Sequence, residues 1–195
     1  MKLYYSPGAC SLADHIALHD ADMKFDLVKV DLKTKKLEDG GDYKAINPKG
    51  SVPALQLDNG EVLTENVAVL SYIADQDPKL SVGGDLGRYR LLEMLAYLAS
   101  ELHKAFHPLF DPKASEAEKK KAGETVQSKL NFIAGKFTGP YLFGPNVTVA
   151  DDYLFVMLMW AAKNKLAIPD VLTGFSERMR GRPTVHAALK HEGLI

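Results

Sequence analysis

The chain has 195 residues, 46% hydrophobic and 25% charged, with a formal net charge of −1. That length suits one large domain or two small ones with a real core, and the near-neutral balance excludes nucleic acid as a main partner, because phosphate contacts demand surplus Lys and Arg. The longest uncharged apolar run, Tyr153 to Ala162, is far too short to span a bilayer; no stretch of signal-peptide length follows Met1, and the lone cysteine, Cys10, forms no internal disulfide, so a cytoplasmic location is expected.

Leu3-Tyr4-Tyr5 reads as a short strand stopped by Pro7-Gly8. Ser11 is expected to cap a helix, with Asp14 in a box-like position and Leu12, Ile16 and His19 along one face. Alternation predicts a second strand over 25–30, and the polar stretch 31–47, with Lys33, Lys35, Lys36 and Gly40-Gly41, reads as a mobile loop containing a weak helix. Strands over 52–57 and 61–63 are joined by the hairpin signal Asp58-Asn59-Gly60. A helix over 64–75 then carries Val67, Leu70, Ser71 and Ala74 at helical spacing.

After Asp77-Pro78 and Gly83-Gly84 strand signals vanish. This change predicts a mixed unit over 1–78, a linker over 79–86 and an all-helical unit over 87–195. Leu91, Leu95, Leu98, Leu102 and Phe106 describe one amphipathic helix ending near His107-Pro108, and a charged helix is expected over 115–136. Thr148-Val149-Ala150-Asp151 is a capping signature opening a helix that is apolar nearly all round through Trp160. Asp152 stands where an apolar staple partner belongs, so half of that device is missing. The chain holds no internal repeat.

Three places offer chemistry. Cys10 lies between a Pro-Gly turn and a helix start, where backbone N–H groups favour a thiolate and a lowered pKa; a small buried hydrophobe is the plainer alternative. Ala13 stands where a second cysteine would sit, so any disulfide forms with an outside thiol. Val52-Pro53 is a candidate cis bond that would present the Val52 backbone to an extended peptide. Thr64-Glu65-Asn66 opens a helix whose N–H groups suit a carboxylate, with Glu65 available to an amino group; simple capping is the alternative. Farther on, Leu92, Ala96, Ala99, His103 and His107 share one helical stripe, small residues leading to a histidine as in a cleft wall. His103 and His107 also have zinc-compatible spacing, but no third ligand is near in sequence and no metal is expected.

Four motifs, Tyr4-Tyr5-Ser6-Pro7-Gly8-Ala9-Cys10-Ser11, Ile46-Asn47-Pro48-Lys49-Gly50-Ser51-Val52-Pro53-Ala54-Leu55, Leu63-Thr64-Glu65-Asn66 and Thr148-Val149-Ala150-Asp151, stand in order, and the similarity runs on to Glu192-Gly193-Leu194. Together they resemble a bacterial glutathione S-transferase of the beta class. The resemblance implies an α/β thioredoxin-like N-terminal domain, an all-α C-terminal domain, a homodimer, and glutathione as co-substrate with a small hydrophobic electrophile. It puts Cys10 beside the glutathione sulfur with Ser11 assisting, Lys35 at the glycine carboxylate, and the Val52 backbone, turned by cis-Pro53, on the cysteinyl unit. Glu65 and the Asn66 backbone would hold the γ-glutamyl end. Ser100, Glu101, Leu102, His103 and Lys104 would wall the thiol side, with His103 catalytic and His107 and Trp160 facing the electrophile. Relatives usually carry asparagine where this chain has Ala96, which implies a missing γ-glutamyl contact. The implied activity is conjugation to electrophiles; the alternatives are thiol transfer through a Cys10 mixed disulfide, or a non-catalytic scaffold of the same fold.

Overall fold

The computed structural model describes residues 1–195. Strand β1 (Lys2–Tyr5) is the centre of a five-stranded mixed sheet of order β3-β2-β1-β4-β5. β2 (Asp26–Asp31) runs parallel to β1, Leu3 facing Leu27, and the crossover between them is helix α1 (Ser11–Asp20). β4 (Ala54–Gln56) lies antiparallel on the other side of β1 and continues through a hairpin into β5 (Val62–Thr64). Gly60, at φ 89°, makes that turn, with Leu57 N–H donating to Glu61 C=O at 2.8 Å. The weak helix expected within 31–47 is a 3-10 turn at Tyr43–Ala45, and the same stretch also contains the unexpected two-residue edge strand β3 (Lys36–Leu37).

Strand alternation splits the core. Leu3 and Tyr5 point into a large apolar cluster, whereas Tyr4 joins Val30, Tyr43, Val52 and Ala54 on the opposite face. Helix α2 (Asn66–Gln76) packs with α1 on the large-cluster side. α1 is covered by the sheet, α2 and two helices of the C-terminal half, so every residue from Ser11 to Leu18 is buried. The expected Ser11 cap is not what forms. Cys10 occupies the cap position, Ser11 is the first helical residue with its Oγ accepting from Ser6 N–H at 3.3 Å, and Asp14 turns toward α2.

The helical half begins with α3 (Gly87–Tyr97), which runs into a π-helical turn at Leu98–His103 and then the short α4 (His107–Phe110). This corrects the single regular helix expected from the leucine spacing. Leu98, Leu102 and Phe106 stay buried while the wide turn displaces the backbone carrying His103, a common use of π-turns at functional positions. α5 (Glu116–Ala134) has a full capping box, Ser115 with Glu118, and α6 (Val149–Lys163) is the buried central helix. The Asp151 carboxylate accepts from Thr148 N–H at 2.8 Å and Leu142 N–H at 2.9 Å, as the capping signature predicts. α7 (Asp170–Arg180) and α8 (Pro183–His191) close the chain.

At the absent staple position, Asp152 is fully buried and 3.5 Å from Arg182, whose guanidinium also donates to Asp20 at 2.8 Å. A charge cluster joining α1, α6 and the start of α8 takes the place of an apolar contact. No helix is long and apolar enough to cross a membrane.

Candidate active site

A cleft of about 1030 Å³ runs between the sheet unit and the helical half. Its floor is the loop after β1, including Gly8 and Cys10; one end is Lys35, Lys49, Val52 and Pro53 with the start of α2 at Glu65 and Asn66; its far wall carries Ala99, His103, Lys104, His107, Phe110, Tyr153 and Trp160. Cys10, Lys35, Val52, Pro53, Glu65, Asn66, His103, Lys104, His107 and Trp160 therefore converge from remote parts of the chain.

The Val52–Pro53 bond is cis, and the Val52 N–H has no partner within the chain, while its C=O accepts from the Cys10 thiol at 3.3 Å. At the start of α2 the backbone N–H groups of Asn66 and Val67 are likewise free, the unpaired donors of a helix N-terminus. The Asn66 side chain is committed elsewhere: its Nδ2 donates to Cys10 C=O at 2.9 Å and to buried Asp14 at 3.0 Å, tying α2 to the cysteine loop. Lys35 Nζ donates to Gly50 C=O at 2.8 Å and keeps two further donors. Lys35 (φ 58°) and Glu65 (φ 76°) both occupy the left-handed region, which side-chain-bearing residues seldom adopt and which clusters at functional sites.

Four expectations need correction. Ser11 has no side-chain exposure to the cleft; only its backbone N–H is directed at the Cys10 sulfur. Leu102 is fully buried in the core, Glu101 faces α5 and accepts from Lys129 at 2.6 Å, and Ser100 is exposed outside the cleft. Residues 100° apart on a helix cannot all face one wall. Glu65 is not free, because Lys49 pairs with its carboxylate and donates to Thr64 Oγ1 at 2.7 Å. The Cys10 thiol is not lowered. Burial and then the nearby Asp14 carboxyl push it up to about 12, outweighing the Cys10 and Ser11 N–H groups that favour the thiolate.

His103 is held neutral, its pKa lowered to about 4 by burial and then by His107. Its Nδ1 lies 2.7 Å from the Tyr153 hydroxyl, and its ring meets Trp160 edge-on with centroids 4.9 Å apart. Trp160 in turn donates Nε1–H to Gly8 C=O at 2.9 Å and packs against Phe110, locking the apolar wall to the cysteine loop. Lys49, Phe110 and Tyr153 escape the sequence reading. Tyr153 had a signal: it is the one tyrosine in an otherwise hydroxyl-free apolar run, and a buried phenol needs a partner.

A mixed-sheet unit and a helical unit here share one cleft that presents a free backbone N–H at a cis-proline, a helix N-terminus and a cysteine. Residues 9–76 match the family model described as glutathione S-transferase, N-terminal domain, and residues 97–183 match the glutathione S-transferase C-terminal domain. The chain belongs to the glutathione S-transferase family. It is 45% identical to glutathione S-transferase GstA of Escherichia coli O157:H7 across 100% of both chains. A sphingomonad glutathione S-transferase solved in complex with glutathione aligns over 100% of both chains at 47% identity and a TM-score of 0.91. The beta-class enzyme of Sphingomonas chungbukensis aligns equally fully, at 48% identity and a TM-score of 0.91.

Proposed function

We propose that the protein is a glutathione S-transferase that conjugates the glutathione thiolate to small hydrophobic electrophiles. The observation that carries this reading is the convergence of Lys35, the free Val52 N–H, the free Asn66 and Val67 N–H groups and Cys10 on one cleft. Each matches a group of the tripeptide. The α2 N-terminus suits the γ-glutamyl carboxylate. Glu65 accepts the amino group once Lys49 yields it, Val52 pairs with the cysteinyl backbone as in strand addition, and Lys35 meets the glycine carboxylate. The thiol then lies near Cys10, and the Phe110–Trp160 wall takes the electrophile.

Ionising the bound thiol near neutral pH needs about 1.4 kcal/mol per unit of pKa lowering. Oriented donors supply it: the Ser11 N–H, a neutral Cys10 S–H released when the peptide takes the Val52 carbonyl, and the His103 imidazole as a hydrogen-bonding group, not a charge. Ultraviolet titration of the glutathione complex should show thiolate absorption at lower pH than free glutathione. An unshifted titration would sink the mechanism.

A second reading is thiol transfer through a Cys10–glutathione mixed disulfide, favoured by the partial exposure of Cys10 on the cleft floor. Here Cys10→Ala should abolish glutathione-dependent disulfide reduction while leaving part of any conjugation; equal loss of both would refute the division. A homodimer through α3 is supported by the exposed side chains Tyr89 and Leu92, and the cytoplasm suits a lone thiol.

A further inference from the structure

We propose that His15, His19 and His191, none of which lines the glutathione cleft, form a binding site for one divalent transition-metal ion of the zinc class, clamping α1 to the end of α8. The three residues bring one nitrogen each to within 4.8 Å of one another. His15 and His19 are four apart on α1, the spacing that puts two imidazoles on one helix face. His191, the last residue of α8, closes the triangle, with ring centroids 5.8 Å from His15 and 5.5 Å from His19.

Two observations distinguish this trio from a packed aromatic cluster. The Nε2 atoms of His15 and His19 are both buried and have no hydrogen-bond partner, a costly arrangement for polar groups unless something else satisfies them. His15 Nδ1 lies 3.0 Å from the Glu192 carboxylate, which fixes the proton on Nδ1 and leaves Nε2 bare; a carboxylate behind a histidine is the usual support of a metal ligand. Phe25 meets both α1 imidazoles edge-on, at 5.6 Å and 5.1 Å, and braces them.

The geometry leaves a route for loading. Tetrahedral zinc at about 2.0–2.1 Å from each nitrogen sets ligand nitrogens about 3.4 Å apart. The widest separation of 4.8 Å must therefore close. His191 is exposed and can swing inward, and its exposed side leaves the fourth position to water. Three imidazole nitrogens without a thiolate select Zn²⁺, Co²⁺, Ni²⁺ or Cu²⁺ over Ca²⁺ and Mg²⁺, which prefer oxygen. The site is separate from His103 and His107, the spacing the sequence offers and discounts. Its reach is functional, because the second Glu192 oxygen accepts Gly8 N–H at 2.8 Å, in the loop that carries Cys10.

The test titrates tag-free, glutathione-free protein with Zn²⁺ by calorimetry and with Co²⁺ by visible absorption. One ion per chain is expected, with tetrahedral Co²⁺ bands. His191→Ala, at an exposed position that leaves the fold intact by circular dichroism, should weaken binding at least about tenfold, and Glu192→Gln about 10–100-fold, whereas His107→Ala should bind as the parent does. Absence of binding at tens of micromolar metal, full binding by His191→Ala, or loss of binding in His107→Ala would each overturn the proposal.

Discussion

The Cys10 thiol permits a test of which force dominates at the cleft floor. With its pKa pushed up to about 12, against an ordinary 9.0, it is ionised at pH 7 to about one part in 100,000 instead of one in 100. That is about three orders of magnitude less thiolate. A more basic thiolate is also a better nucleophile, and a Brønsted slope of about 0.4–0.5 returns about 1.2–1.5 of those orders. Alkylation by iodoacetamide at pH 7 should therefore be about 30- to 60-fold slower than for an unperturbed thiol. Cys10 is the only cysteine, so mass spectrometry of the intact chain reads its modification directly. Thiolate becomes more abundant as pH rises, so the logarithm of the rate should climb with unit slope from pH 7 through at least pH 10. Steric access scales the rate equally at every pH, and the slope isolates ionisation. A plateau with its midpoint below pH 9 would show that the helix start outweighs burial, and would refute the argument.

Three further outcomes follow from the same structure. His103, neutral down to about pH 4, should contribute no inflection to conjugation rates between pH 5 and 8; a limb in that range that disappears in His103→Asn would contradict its assignment as an uncharged group. Burial pushes the Asp152 carboxyl well up, with Asp20 beside it adding to the rise and Arg182 opposing it; Arg182→Met, which removes the one cation of the cluster, should cost about 3–5 kcal/mol in urea unfolding, and a loss under about 1 kcal/mol would show the cluster to be solvated. Leu92→Asp combined with Tyr89→Asp should yield a monomer by light scattering, and a persisting dimer would remove α3 from the proposed interface.

Much of the fold is legible because it rests on local rules. Asp58-Asn59-Gly60 does form the hairpin, the Thr148–Asp151 signature does cap α6, and period-two alternation does send Leu3 and Tyr4 to opposite faces of the sheet. What is lost lies where distant segments decide. β3 has two residues and exists only because β2 offers an edge, so no run of Lys36-Leu37 announces it. The leucine spacing survives the π-turn because Leu98, Leu102 and Phe106 remain in the core on either side of the irregularity. The same turn decides which neighbours of His103 face the cleft: the resemblance puts Ser100, Glu101 and Leu102 on that wall, whereas the leucine spacing rightly assigns Leu102 to the core.

The site repeats this division at the level of charge. Cys10, Val52, Glu65 and Asn66 each sit at the end of an element whose type is legible, and one cleft gathers them; Lys35, beside the unannounced β3, is placed there only by the resemblance. The sign of the Cys10 shift is a different kind of quantity. A helix start contributes a favourable field that local sequence reveals, but desolvation depends on what covers the sulfur, and Asp14 acts only because α1 is enclosed on nearly every side. The carboxylate of Asp14 is a first-turn charge that a local rule reads as solvated and helpful; enclosed beneath Cys10, it opposes ionisation instead. A cleft that keeps its own sulfur protonated has a donor to offer the sulfur of its ligand, and this favours ionisation of glutathione over ionisation of Cys10.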